Sequence, residues 1–211
     1  MKTNDLISLL AQDAPVRQPF GPLMVKAVLS GLVLSLTLML VSIGPRDDFA
    51  SAIETLRVAA KILTSTIFAA CACALAVRIG RPAVPMRPRA LLLLLPLLLL
   101  CLSVGLELAV VPRDTWAKSL VGQHAAFCVM AIPLLSLPPL VVLFLALRQG
   151  APENPTLAGA VAGLAAAGIA ACIYALHCPD DSPLFVATWY VTASAIVTAA
   201  GALAGRRFLR W

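Results

Sequence analysis

Residues 90–111 read ALLLLLPLLLLCLSVGLELAVV, a run whose one charged residue is Glu107. A helix needs about 20 consecutive apolar residues to cross roughly 30 Å of hydrocarbon, and this stretch is long enough. Reading outward from it, five further runs approach the same length: Leu23 to Ile43, Ala59 to Val77, Ala126 to Leu147, Leu157 to Leu176 and Leu184 to Leu203. Between them stand Gly44-Pro45, Gly80 to Pro85, Pro112, Gly150 to Pro155 and Pro179 to Pro183, where helices end and the chain leaves the bilayer. Composition agrees: of 211 residues 61% are hydrophobic and 12% charged, and the mean hydropathy of +0.95 does not describe a soluble chain. The sequence predicts an all-α polytopic membrane protein, a bundle of six transmembrane helices. Its parts are a tail over 1–22, a membrane domain over 23–205 and a basic C-terminus over 206–211.

The same numbers exclude other classes. Six cysteines are about 3% of the chain, too few for a disulfide-built secreted scaffold. The net charge of +6 is read as the positive-inside bias of membrane loops, because no basic run is interleaved with aromatics as direct nucleic-acid binding would need. The first apolar run is preceded by some twenty residues that include Asp5 and Asp13, unlike a cleavable leader. With the N-terminus inside, the inner side holds Lys2, Arg17, Lys26, Arg78, Arg81, Arg87, Arg89, Arg148, Arg206, Arg207 and Arg210, eleven in all. The outer side holds five, Arg46, Arg57, Lys61, Arg113 and Lys118, so both termini are expected in the cytoplasm.

Within the bundle, Gly159-x-x-x-Gly163 and Gly201-x-x-x-Gly205 each place small residues on one helical face, where two backbones can approach closely. Pro96 and the set Pro133, Pro138 and Pro139 fall inside the third and fourth runs, and their missing N–H groups should kink those helices.

Only two histidines occur, and each has a cysteine nearby. His124 and Cys128 are four positions apart at the outer entrance of the fourth run, and His177 adjoins Cys178 at the outer exit of the fifth. Three readings stay open. Cys128 and Cys178 can form a disulfide. Alternatively His124, Cys128, His177 and Cys178 can hold a transition metal such as copper or zinc. In the third reading the four side chains only fit their surroundings. Cys71, Cys73, Cys101 and Cys172 lie inside apolar runs and are expected to pack there. Glu107, one turn from the outer end of its run, is expected to be hydrated or paired with Arg113 or Lys118. Asp180-Asp181-Ser182 is expected to cap a helix or solvate a turn. No nucleophile elbow, phosphate loop or zinc-protease motif occurs, so an enzyme is not expected. Midplane charges and broken helices in matching halves, the marks of a secondary transporter, are also missing from the sequence.

In the tail, Thr3-Asn4-Asp5 precedes Leu6, Ile7, Leu9 and Leu10, which predicts a short helix from Asp5 to Gln12. So short a helix gains stability only by docking into a partner's groove or lying on the inner leaflet.

Taken together, Met1-Lys2-Thr3-Asn4-Asp5-Leu6-Ile7, Leu9-Leu10-Ala11, Pro15-Val16-Arg17, the outer Cys128, and the run from His177 to Phe185 leading to Trp189-Tyr190 resemble the six-span bacterial anti-sigma factors of the NrsF type. The resemblance covers essentially the whole chain. It implies an inner-membrane protein whose tail, through Leu6, Ile7, Leu9, Leu10 and Arg17, binds an extracytoplasmic-function sigma factor. It implies also that the outer cysteines sense metal or oxidative stress. A tail of about 20 residues is small for masking a sigma factor, so the inner loop from Arg78 to Arg89 is a further candidate surface. Two other classes remain as alternatives. A membrane thiol oxidoreductase would need a quinone or a second cysteine pair, and a small metal transporter would use the outer His/Cys cluster as its entry.

Overall fold

The structure, a computed structural model, describes residues 5, 7, 8, 19–80, 87–150 and 152–210, and among these every regular element is helical. The six long helices are α1 (Phe20–Ser42), α2 (Leu56–Ile79), α3 (Leu94–Val110), α4 (Ala125–Leu147), α5 (Pro155–Tyr174) and α6 (Val191–Phe208). With the turns that lead into α3, α4 and α6, these give six segments long and apolar enough to cross a membrane. Several starts follow from local chemistry. Asn154 Oδ1 accepts from Leu157 N–H at 3.0 Å with Pro155 in the first turn of α5. The α2 helix opens at Leu56, three residues before the apolar run, because Thr55 caps it by accepting from Val58 N–H.

The bundle is organised around α5. Fourteen of its twenty residues are buried, and they are mostly alanine and glycine, so helices can close on it from several sides. The predicted glycine faces meet. A Cβ built on Gly159 would lie 2.2 Å from Gly201 O, and one on Gly201 would lie 2.5 Å from Gly159 O. On another side of α5, Gly168 admits the backbone of α2, where a Cβ would stand 2.9 Å from Ala69 Cα.

The prolines of the fourth run do not interrupt it, for α4 is continuous through Pro133, Pro138 and Pro139. Pro139 cannot donate to Leu135 O, and Ser35 of α1 supplies that bond instead, its hydroxyl donating at 2.8 Å. The Pro139 ring is accommodated by Gly31, where a Cβ would sit 2.7 Å from Pro139 Cα. Pro96 falls in the first turn of α3, just after a 3-10 turn over Leu91–Leu93, where an amide has no partner within the helix, so the expected kink does not arise there. The α3 segment is the least embedded of the six. Leu98 and Leu102 on α3, Val33 on α1, Met130 on α4 and Leu203 on α6 are exposed, as a lipid-facing belt requires.

In the tail, Asp5, Ile7 and Ser8 are helical, Ile7 is exposed, and Ser8 Oγ donates to Asp5 O at 2.9 Å. The expected contacts of Leu6, Leu9, Leu10 and Arg17 lie outside the described residues, as does residue Arg81 of the loop before α3.

Candidate functional site

Cys128, one turn into α4, and Cys178, just past the end of α5, are both fully buried and belong to one apolar core with Ile132, Tyr174, Phe185 and Tyr190. The chain has two tyrosines, and both hydroxyls lie beside the Cys178 thiol. Neither makes a hydrogen bond of normal geometry. All six cysteines are free thiols. Burial pushes the Cys178 thiol up, and the nearby Lys61 ammonium pulls it partly back. It is therefore a neutral, slow nucleophile at ordinary pH.

The segment Cys178 to Asp181 is held over this pair by charges from two other elements. Lys61 of α2 is buried, and its ammonium is ion-paired with Asp181 and donates to Cys178 O at 2.7 Å and to Asp180 O at 3.4 Å. An ammonium removed from water costs several kcal/mol, a cost this shell of one carboxylate and two carbonyls offsets. Arg46, after α1, grips the same carboxylate through Nη1 at 2.9 and 3.0 Å and binds Asp48 through Nε at 2.6 Å. Paired with Asp48 and Asp181, the Arg46 guanidinium titrates above its ordinary range, and the exposed Asp48 carboxyl is held below its own.

The neighbouring carboxylates do the work of caps. Asp180 accepts from the backbone N–H groups of Gln123 and His124 at 3.1 and 2.9 Å, at the start of α4, whose first amides have no helical partner. Ser182 Oγ caps the next turn and donates to Glu107 Oε2 at 2.9 Å, which also accepts from Leu184 N–H. Gly122 makes the approach to α4 possible: its φ of 61° and ψ of −165° suit glycine, and a Cβ there would lie 2.4 Å from the Phe185 ring. The chain then passes through a one-turn π-helix, Val186–Tyr190, that turns Tyr190 toward the thiols and lets Trp189 Nε1 donate to Leu120 O at 2.8 Å.

The four residues expected to cluster divide into two sets. The thiols share one core, whereas His124 Nδ1 faces Asp180 at 3.3 Å and His177 Nδ1 contacts Gly44 O at 2.8 Å with its ring against Phe127 and Tyr174. Among the described residues no three His, Cys, Asp or Glu side chains are gathered to hold a metal ion. Glu107 is paired with Arg57, at 3.7 Å, and not with Arg113 or Lys118, because α2 runs beside α3 while those two cations lie beyond its end. Cys101 is exposed on α3 and does not pack as expected, since that helix is peripheral. Sequence reasoning missed Lys61 as part of the site. Its signal was a lysine two residues inside an apolar run, the same signal that drew attention to Glu107.

At the opposite end of the bundle, the Phe20 ring at the start of α1 is wedged between two turns. A Cβ on Gly80, after α2, would lie 2.1 Å from Phe20 Cζ, and one on Gly150, after α4, would lie 2.6 Å from its Cε2. The helices that carry Lys61 and Cys128 at one end therefore both touch, at the other, the residue from which the tail departs.

Fold and site together define a small polytopic helical membrane protein in which a charged loop closes over two buried thiols. The chain belongs to the NrsF family, described as negative regulator of sigma F, which matches residues 9–211. It is 33% identical over 215 residues to the anti-sigma-F factor NrsF of Caulobacter vibrioides and 30% identical over 213 residues to the probable anti-sigma-F factor NrsF of Azospira oryzae, each alignment covering 100% of both chains. No solved structure matches it.

Proposed function

We propose that this chain is an inner-membrane anti-sigma factor with both termini in the cytoplasm. Its tail holds an extracytoplasmic-function sigma factor and releases it when a metal or an oxidant reacts with Cys128 and Cys178. Full-length membership of the NrsF family carries the sigma-factor part of this reading. The charge count favours an outer position for the loop over the thiols, and the shared core of the two cysteines favours chemistry at the pair. Copper or zinc would be held first by the two sulfurs, and His124 and His177 would join only by leaving Asp180 and Gly44. As an oxidant sensor, the pair would close a loop of about 50 residues, worth roughly 4 kcal/mol on the chain-entropy estimate.

The chemistry releases sigma only if its two states differ in affinity for it. A hundredfold loss of affinity corresponds to about 2.7 kcal/mol of coupling between the thiols and the tail. Reaction at the thiols repositions the start of α4 and the segment after α5. The displacement reaches the tail through the contacts of Gly80 and Gly150 with Phe20.

Co-purification in mild detergent tests the reading. A sigma factor should accompany the full chain and be lost when residues 1–20 are deleted. Cys128→Ser and Cys178→Ser should retain the sigma factor but no longer release it on metal or oxidant treatment. Induction that remains normal in both serine variants would sink the thiol mechanism while leaving sigma binding standing.

A further inference from the structure

Several helical hydroxyls in this bundle bond back to the carbonyl four residues earlier, as Thr66, Ser103, Thr188, Thr192 and Thr198 do. Thr64 and Ser65 on α2 and Ser194 on α6 make no side-chain bond among the described residues, although they are only 9%, 4% and 7% exposed. The Tyr190 hydroxyl is likewise buried without a formed bond. Thr64, Ser65 and Ser194, with the side chain of Tyr190, line one groove of about 570 Å³ between α2, α3 and α6, whose other walls include Phe68, Leu97 and Leu100.

Depth decides what can fill it. Counted from the starts of the two apolar runs, Ala59 and Leu184, at 1.5 Å per residue, the Thr64, Ser65 and Ser194 hydroxyls lie about 8–15 Å inside a hydrocarbon layer roughly 30 Å thick, on its Cys178 side. Unpaired hydroxyls at that depth are costly. A phospholipid cannot satisfy them, because its ester and headgroup oxygens stay at the interface and only methylene reaches this depth. A flat ring with carbonyl acceptors on an apolar tail satisfies them, and the volume falls in the range of small-molecule sites, about 300–1,000 Å³. We propose that this groove binds an isoprenoid quinone, its ring carbonyls accepting from Ser65, Ser194 and their neighbours and its tail running along α3. The bound ring would fix Tyr190, which stands between the groove and Cys178. Binding itself does not depend on the sigma-factor reading.

The test uses the full chain in phospholipid vesicles with a photoactivatable short-tailed benzoquinone. Labelling should saturate, map to peptides containing Ser65 and Ser194, and fall at least tenfold with excess unlabelled quinone. Ser194→Leu should fill the groove and lower labelling at least tenfold. Leu97→Trp should do the same from α3, where Leu97 is exposed enough to accept a larger side chain, so the proposal remains testable if the serine variant does not fold. Label spread over the lipid-facing surfaces of α1, or labelling unchanged by competitor and by Leu97→Trp in folded protein, would overturn it.

Discussion

Removing Asp181 should destabilise the protein more than removing the lysine it binds. After Asp181→Ala, the Lys61 ammonium, with a side chain 1% exposed, keeps only the carbonyls of Cys178 and Asp180. Stranding a buried charge in this way costs about 3–5 kcal/mol. Lys61→Met instead leaves Asp181 20% exposed and still held by Arg46 at 2.9 Å. Its cost reduces to two carbonyls that lose a donor, about 1–2 kcal/mol. For a chain of this length a kcal/mol corresponds to about 2–4 °C, so the gap of roughly 1–4 kcal/mol should appear as about 2–16 °C in Tm. Thermal stability of a fluorescent-protein fusion, followed by size-exclusion elution in detergent, measures it. The double variant should recover part of the Asp181→Ala loss, since neither charge is then left alone. If Lys61→Met melts as low as Asp181→Ala, the ammonium is a net stabiliser and its stranding is not what Asp181→Ala costs.

Three further outcomes follow from the same geometry. Phe20→Ala empties the wedge between Gly80 and Gly150, and a truncation of that size costs about 3–5 kcal/mol where a cavity stays open. It should weaken sigma retention without signal, and retention equal to the parent chain would remove the proposed joint. Gly163→Leu places a side chain where even a Cβ would lie 2.6 Å from Val197 O, so α5 and α6 must separate. Expression of folded protein should fall severalfold by size-exclusion profile, whereas Gly105→Leu, with open space around it, should be silent. Because burial raises the Cys178 thiol, it should alkylate slowly at pH 7 and faster as pH rises, with Asp181→Ala speeding the reaction at least tenfold at fixed pH. The linked stability is fully present below the unfolded thiol value of about 8.5 and is lost as pH rises above it, so Cys178→Ser should flatten the alkaline fall in Tm.

Much of the architecture was legible because hydrocarbon imposes a length and a polarity that one-dimensional counting detects. The six spans, the two glycine faces and the capping role of Ser182 could be read in this way. The proline set misled in part. Whether Pro139 breaks a helix depends on Ser35, a hundred residues away in sequence, which supplies the missing bond. The histidines and cysteines looked like one set because they are neighbours in sequence. In space His177 turns toward Gly44 and His124 toward Asp180, leaving the thiols together with two tyrosines.

The sequence by itself determined that this is a six-span membrane protein with a charge bias between its two sides and small-residue faces that pack it, because each of these is a property of a run or a period along the chain. Only the tertiary structure decided the partners of the charges and the thiols. Lys61 with Asp181, Arg57 with Glu107, Cys128 beside Cys178 and Phe20 between two glycines all join separate helices or turns. Every apolar span looks alike to the bilayer, so nothing in hydropathy says which helix stands beside which. That choice is made by the close fit of alanine and glycine around α5 and by the need of each buried polar group for a partner.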